Sequence, residues 1–169
     1  MNDELEKAIF EKLNELYNRL PKLPDGRINY KKSDVALVVT VFVKRGDKIL
    51  LLKRSDKVGT YKGKWNAVAG YIDEFKSIKE KILEELEEEI GISENDISSI
   101  KIGQPYEFVD EKINKKWIVV PALVELADDV SIKLNWEHVE YRWVKREEIK
   151  SYDVVPNLEE SLNRVWNAE

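Results

Sequence analysis

The chain of 169 residues contains no cysteine, which excludes disulfides, thiolate metal sites and a cysteine nucleophile. Its single histidine, His138, is a poor basis for a catalytic triad, and we assign it no catalytic role. The sequence also lacks a secretory signal and an apolar run long enough to span a membrane. We therefore expect a cytoplasmic protein.

An excess of positive charge is also missing. The net charge of −5 and the pI near 5.2 give no overall attraction to nucleic acid or to an anionic membrane. A hydrophobic content of 43% and a charged content of 36% argue against general disorder. A chain of this length can bury a sizeable core, and one globular domain is the default expectation.

The most informative stretch runs from residue 70 to residue 92 and contains a helix rich in glutamate. Ser77 and Glu80 have the spacing of a capping box, and Gly91 suits the left-handed residue that ends a helix. Apolar residues recur at helical intervals and predict a buried face, formed by Ile78, Ile82, Leu83, Leu86 and Ile90.

The glutamates of this helix fall into two sets when residues are placed about 100° apart. Along one edge of the apolar face lie Glu85, Glu88 and Glu89. The glutamates expected to point to water are Glu80, Glu84 and Glu87. Like charges at these spacings destabilise a helix by roughly a few tenths of a kcal/mol per pair, whereas a hard divalent cation binds carboxylate oxygens. We interpret the first set as a site for Mg²⁺ or Mn²⁺, and the alternative is a solvated acidic face.

The same stretch resembles the Nudix box, written G-x5-E-x7-R-E-U-x-E-E-x-G-U, in which U is a bulky aliphatic residue. The positions that match in register are Gly70, Glu85, Leu86, Glu88, Glu89, Gly91 and Ile92. The box is altered at two positions, because Lys76 stands where the family has Glu and Glu84 stands where it has Arg. We interpret these two residues as a reversed ion pair. The alternative is drift in a protein with reduced or altered activity.

The resemblance implies an α/β fold for residues 34–169, namely a Nudix-like α/β/α sandwich around a mixed β-sheet. Residue patterns predict strands at 35–43, 48–54, 65–72, 97–109, 117–126 and in the second half of 136–144, a turn at 128–129, and a final helix after Pro156. Residues 1–33 form an N-terminal extension with an amphipathic helix over 3–20. This helix either packs on its own domain or contacts a second copy in a homodimer.

The resemblance also implies a hydrolase that uses Mg²⁺ or Mn²⁺ to cleave a diphosphate bond in a nucleoside diphosphate linked to another moiety. The expected metal ligands are Glu85, Glu88, Glu89 and the backbone carbonyl of Ala69. We expect Glu85 or Glu137 to be the general base. Glu140 is the second candidate for an acid contributed from outside the box. Nothing in the sequence chooses between the two bases.

Three residues are candidates for contact with a nucleotide-type substrate, namely Arg54, Trp65 and Tyr106. Arg54 ends a strand where the family often has an arginine that meets phosphate, although a surface arginine is an equal alternative. Trp65, just before the box, is also similar to the family. Tyr106, together with Phe108 and Trp117, could stack on a base, but aromatic residues in strands more often lie in a core.

Two other functions stay open at this point. The altered box positions also suit a sensor or partner-binding domain that kept the fold and lost the chemistry. Isopentenyl-diphosphate isomerisation occurs in the same fold, but it is usually assisted by cysteine, which this chain lacks. In the leading interpretation the partner is a small-molecule nucleotide, and neither nucleic acid nor a membrane is expected.

Overall fold

The computed structural model describes residues 3–127 and 130–166, so the turn predicted at 128–129 lies outside the described residues. The helices are α1 (Asp3–Arg19), α2 (Ile78–Ile90) and α3 (Leu158–Trp166), with short 3₁₀ helices at Glu94–Asp96 and Arg146–Ser151. The strands are β1 (Val35–Arg45), β2 (Lys48–Arg54), β3 (Trp65–Asn66), β4 (Val68–Tyr71), β5 (Ile97–Ile102), β6 (Tyr106–Asp110), β7 (Lys115–Leu126) and β8 (His138–Lys145). Within the described ranges, no helix combines the length and the apolar character that a bilayer span requires.

Strand β1 lies at the centre of a mixed sheet. It pairs in parallel with β7 and antiparallel with β4, while a hairpin joins it to β2. Strand β2 pairs with β8 on one side and with β3 on the opposite side, since Leu52 lies between Tyr141 of β8 and Asn66 of β3. Strand β7 also pairs with β5 and β6. Most β1 residues are buried on both faces, as expected for a strand between two helical layers. The predicted mixed α/β fold is therefore confirmed.

Helices cover both faces of the sheet and create two cores. One core joins α1 and α2 to β1 and β7, and it includes Val39, Val41 and Val120. The other packs α3 against the opposite face, where Phe42 and Leu51 are fully buried. The predicted final helix is present as α3, in which Leu158, Leu162 and Val165 are buried and Trp166 is half-buried.

The predicted strand at 65–72 is divided into β3 and β4. The reason is a change of partner, because β3 pairs with β2 whereas β4 pairs with β1. At the break, the Asn66 side chain accepts a hydrogen bond from the N–H of Ala67 at 2.8 Å. A single extended strand could not satisfy both partners, so the prediction of one strand was wrong at this point.

The predicted strand at 97–109 is likewise divided, here into β5 and β6. Pro105 lies in the break and has no N–H for a ladder hydrogen bond. Both halves still pair antiparallel with β7. The residue pattern predicted one continuous strand because it does not show where the backbone pairing is interrupted.

Helix α2 begins and ends as the sequence predicted. The Oγ of Ser77 accepts a hydrogen bond from the N–H of Glu80 at 3.1 Å. Gly91 adopts a left-handed φ of 71°, which allows its N–H to donate to the carbonyl of Glu87. The predicted apolar face is buried at Ile78, Ile82, Leu86 and Ile90, whereas Leu83 is only half-buried.

The N-terminal extension packs on its own domain. The buried residues of α1, namely Leu5, Ile9, Leu13 and Leu16, belong to the same core as α2, whereas Leu20 is half-buried. The Oε1 of Glu6 accepts the N–H of Ile78, the first residue of α2, at 3.1 Å. Phe75 packs its ring near those of Phe10 and Tyr17, with centroids 6.4 and 5.4 Å apart. The intramolecular alternative for α1 is therefore realised, and a homodimer stays a prediction.

We expect Leu13→Ala to lower the free energy of unfolding by about 2–5 kcal/mol, because Leu13 is fully buried between α1 and the sheet. Urea denaturation followed by circular dichroism measures the change. The matched control is Asn18→Ala on the exposed face of α1, with an expected change within about 0.5 kcal/mol. Equal stability of the two variants would show that α1 does not contribute to the core.

Candidate active site

Helix α2 directs its glutamates at the end of β4. Glu85 and Glu89 are 7% and 1% exposed, while Glu88 is exposed. The carboxylate of Glu85 lies directly over Gly70, since a Cβ at that glycine would come within 2.3 Å of the Cδ of Glu85. Glycine is therefore required at position 70 because any side chain would occupy the space of this carboxylate.

Glu89 is the most deeply buried acid of the cluster. Its Oε1 lies 3.5 Å from the N of Ala69 and 3.9 Å from the Nδ1 of His138. Its other oxygen and both ring nitrogens of His138 have no hydrogen-bond partner among the described residues. Burial, followed by the neighbouring carboxyl groups of Glu85 and Glu137, raises the pKa of Glu89 well above its ordinary value. Burial lowers the pKa of His138 to about 4, so its imidazole is neutral at neutral pH.

Glu137 approaches the same cluster from the segment just before β8. Its backbone carbonyl accepts the N–H of Ser55 at 2.8 Å, and the Asn135 side chain donates to its Oε1 at 3.2 Å. Burial, supported by the charge of Glu85, raises the pKa of Glu137, although Asn135 opposes this shift. Glu137 thus lies within electrostatic range of the box acids, and its role as a base stays a prediction.

Glu84 does not point to water, and that prediction was wrong. It is half-buried, its Oε2 lies 2.5 Å from the Nζ of Lys76, and its Oε1 lies 3.5 Å from the Nζ of Lys81. Carboxylate oxygens of Glu84, Glu85 and Glu88 lie within 4.8 Å of one another. A helical wheel gives only the direction of a side chain, whereas the loop before α2 folds back and covers this side. The same loop brings Lys76 and Glu84 into the ion pair that the sequence suggested.

Sequence analysis missed Lys81 and Asp73. Lys81 is buried, with its Nζ 3.1 Å from the Oε1 of Glu85 and 3.9 Å from the Oδ1 of Asp73. Burial alone would lower the pKa of Lys81, but the charges of Glu85 and Asp73 outweigh burial and raise it. A lysine within the apolar stripe, four residues before Glu85, is the signal that could have revealed it.

Arg54 lies beside the acid cluster. It is half-buried, and its Nε donates to the carbonyl of Thr60 at 3.0 Å. Burial lowers the pKa of its guanidinium, and the charges of Glu89 and Glu137 oppose that shift. The alternative of a solvated surface arginine therefore does not describe this residue. Contact with a substrate phosphate stays a prediction.

The other two predicted substrate contacts have partners elsewhere. Trp65 packs edge to face on Tyr152, with ring centroids 5.2 Å apart, at the second core. The hydroxyl of Tyr106 hydrogen-bonds to Ser161 in α3, and its ring stacks on Phe108. Their roles in substrate binding stay predictions.

Glu140 is the second candidate for an acid contributed from outside the box. It forms an ion pair with Arg142 at 2.7 Å. Both members of this pair lie on strand β8, where Arg142 is exposed and Glu140 is half-buried. Pairs near the surface contribute little to stability. A role of Glu140 as the outside acid stays a prediction.

A group of aromatic side chains lies next to Gly70 of the box. Tyr71, directly after Gly70, is 37% exposed and stacks on Trp117 with ring centroids 6.5 Å apart. The Nε1 of Trp117 donates to the hydroxyl of Tyr61 at 3.0 Å. The hydroxyl of Tyr61 in turn donates to Asp110 at 2.7 Å. Of the predicted base-stacking candidates, Trp117 belongs to this group of rings but is only 7% exposed, whereas its exposed neighbour Tyr71 was not among the candidates. Contact of any of these rings with a base stays a prediction.

Comparison with known proteins gives consistent results. Residues 32–165 match the family model of the NUDIX domain. Nucleoside triphosphatase NudI of Escherichia coli is 26% identical over 126 residues, which cover 69% of this chain and 86% of that protein. The MutT protein of Methanosarcina mazei Go1 superposes with a TM-score of 0.63 at 26% identity, covering 79% of this chain and 94% of the other. An Ap4A hydrolase of C. elegans gives a TM-score of 0.61 at 16% identity, covering 76% and 93%.

We expect Gly70→Ala to weaken Mn²⁺ binding by about tenfold or more, because the new methyl group displaces the carboxylate of Glu85. Isothermal titration calorimetry with Mn²⁺ measures the change, and circular dichroism checks that the fold is kept. The control is Gly59→Ala, since a Cβ at Gly59 meets nothing within 4 Å. Unchanged Mn²⁺ affinity in Gly70→Ala would contradict this reading of the glycine.

In the absence of divalent cations, we expect Glu89→Gln to raise the melting temperature, and the gain to grow as the pH rises. Burial raises the folded-state pKa of Glu89 well above its ordinary value, so the folded protein holds this proton more tightly than the unfolded chain does. The resulting destabilisation is absent below the unfolded pKa and develops as the pH rises through the folded pKa. Thermal melts in EDTA at about pH 5 and about pH 8 compare the variant with the parent protein.

The control for this experiment is Glu87→Gln, because Glu87 is exposed on the same helix. Its melting temperature should differ from that of the parent protein by the same amount at both pH values. A gain for Glu89→Gln that is equal at both pH values, or larger at the lower one, would contradict the expected ionisation of Glu89.

Proposed function

The chain belongs to the NUDIX domain family, and from this premise we propose that it is a metal-dependent hydrolase of a nucleoside diphosphate linked to another moiety. As a Nudix hydrolase it acts on a diphosphate bond. The observation that supports the proposal best is the buried carboxylate of Glu89 beside Glu85, with an oxygen that has no partner among the described residues. The similar proteins named as a nucleoside triphosphatase and an Ap4A hydrolase support a nucleotide substrate.

The donor set fits Mg²⁺ or Mn²⁺. Both ions prefer oxygen ligands, and the proposed ligands Glu85, Glu88, Glu89 and the carbonyl of Ala69 offer only oxygen. An unpaired buried carboxylate oxygen, such as that of Glu89, costs free energy unless a cation or a donor satisfies it. A divalent cation held there would supply neutralisation of the diphosphate charge and activation of a water molecule.

Side chains of the protein would carry out the proton transfer. We assign the general base to Glu137, because its raised pKa brings it closer to neutral pH, where a base is most effective. Glu85 is the alternative base, but Gly70 and Lys81 hold its carboxylate in a position that suits a ligand. Glu137 would accept a proton as water attacks phosphorus and the bond to the leaving phosphate oxygen breaks.

Substrate contacts follow from the charges and rings around the cluster. Arg54 suits a phosphate group, because its planar guanidinium offers several donors. Tyr71 presents an exposed ring beside the box and is our additional candidate for stacking on a base. Tyr106 and Trp65 remain candidates, although each already has an aromatic neighbour.

The sensor alternative rests on the two altered box positions. The ion pair between Lys76 and Glu84 retains an attraction with reversed charges, which favours a working site. The isomerase alternative has no support beyond the shared fold. A cytoplasmic location and a homodimer stay predictions.

Hydrolysis should be measured with sugar nucleotides, dinucleoside polyphosphates, ADP-ribose and ordinary and oxidised nucleoside triphosphates, each with Mg²⁺ and with Mn²⁺. We expect at least one diphosphate to be cleaved only when a divalent cation is present. Chromatography identifies the products and therefore the bond that is broken. Nucleotide binding in calorimetry without any product would favour the sensor.

We expect Glu89→Gln to abolish the metal-dependent turnover, because one carboxylate oxygen is replaced by an NH₂ group that cannot bind a cation. The fold should be kept, because the amide and the carboxylate have nearly the same size. Glu87→Gln, on the exposed side of the same helix, should retain the activity of the parent protein. Initial rates and circular dichroism spectra decide the comparison. A fully active Glu89→Gln would falsify the assignment of the metal ligands.

A further inference from the structure

A buried ammonium group lies at the centre of the carboxylate cluster. The Nζ of Lys81 is 3.1 Å from Glu85, 3.5 Å from Glu84 and 3.9 Å from Asp73. The side chain of Lys81 is only 8% exposed, so little water screens these contacts. The lysine therefore interacts with several acids at once, one of them a proposed metal ligand.

The position of Lys81 compensates for the altered box. In the Nudix pattern an arginine directly precedes the glutamate that corresponds to Glu85, but here that position is occupied by Glu84. Lys81 lies one helical turn earlier, so its side chain runs along the same face and reaches both Glu84 and Glu85. Lys81 thus supplies, from a different position in the helix, the positive charge beside Glu85 that the arginine supplies in the Nudix pattern.

We infer that Lys81 is a positioning residue that fixes the carboxylate of Glu85 and balances the charge of Glu84 beside it. This inference rests on the proposed function, because it concerns the geometry of the same site. Lys81 holds the Oε1 of Glu85 from one side, and the absence of a side chain at Gly70 gives the carboxylate its place. Glu85 is then oriented before any divalent cation or substrate arrives.

Two residues of the N-terminal extension contact Asp73, which lies beside Lys81. Asp73, which faces Lys81, accepts a contact from Arg27 at 3.5 Å through its other oxygen. The backbone carbonyl of Asp73 also accepts the N–H of Ile28 at 2.9 Å. These contacts hold Asp73 in place and keep the ammonium group between Asp73 and Glu85.

Replacement of Lys81 by a neutral residue should have two consequences that can be measured separately. Removing one partner of a buried pair leaves an uncompensated charge and destabilises the protein. A divalent cation bound to Glu85 would compensate that charge, so a neutral residue at position 81 should harm the cation-free protein more than the cation-bound protein. By thermodynamic linkage, the variant then binds the cation more tightly, whereas misplacement of Glu85 slows the reaction.

The test uses Lys81→Met in the full chain, with Lys81→Arg as the variant that keeps the charge. We expect Lys81→Met to bind Mn²⁺ at least about threefold more tightly, measured by calorimetry without substrate, because one nearby positive charge is lost. For the substrate that the parent protein hydrolyses fastest, kcat should fall at least about tenfold with little change in KM. Lys81→Arg should retain the Mn²⁺ affinity of the parent protein.

The matched control is Lys79→Met, which removes an exposed lysine of the same helix that pairs with Glu94. It should change neither the Mn²⁺ affinity nor kcat. If Lys81→Met does not fold, Lys81→Gln takes its place. A lower melting temperature with unchanged Mn²⁺ affinity and unchanged kcat would overturn the inference, since Lys81 would then be merely structural. If no substrate is hydrolysed by the parent protein, the proposed function fails, and Mn²⁺ affinity alone decides the role of Lys81.

Discussion

The close approach of several carboxylates, where α2 meets the end of β4, is the constraint on which the rest of the site depends. Carboxylates repel one another, and burial removes the water that would screen the repulsion. The chain accommodates them because Gly70 leaves room for Glu85 and because Lys81 places a positive charge 3.1 Å from it. Glu89 lies next to them with an oxygen that no described group satisfies. The proposed divalent cation would satisfy this oxygen, and without it the cluster lowers the stability of the fold.

The pairing of strands far apart in sequence brings the remaining groups to this cluster. Strand β2 ends at Arg54, which lies opposite His138 in the antiparallel pair with β8. Glu137, the residue before His138, consequently meets the same edge of the cluster. The pairing of β2 with β8 thus places three groups close together. They are the candidate for phosphate binding (Arg54), the candidate base (Glu137) and a neutral imidazole (His138).

The N-terminal extension contributes to the same site from outside the Nudix pattern. Glu6 accepts a hydrogen bond from Ile78 at the start of α2, where a negative charge also interacts favourably with the helix dipole. Arg27 contacts Asp73, which in turn faces Lys81. The extension therefore supports both the start of the box helix and the charged group behind Glu85.

The sequence by itself determined helix α2, its ends and the identity of its main acids, because these depend on residue types at fixed local spacings. It also anticipated the attraction between Lys76 and Glu84. It misplaced Glu84 and missed Lys81 and Asp73, since a helical wheel does not show which loop or strand covers a side chain. Only the tertiary structure decided those surroundings, because they depend on strand pairing and on the path of the loop before α2. Local spacing places a charge on a helix, and long-range packing decides which partner it meets.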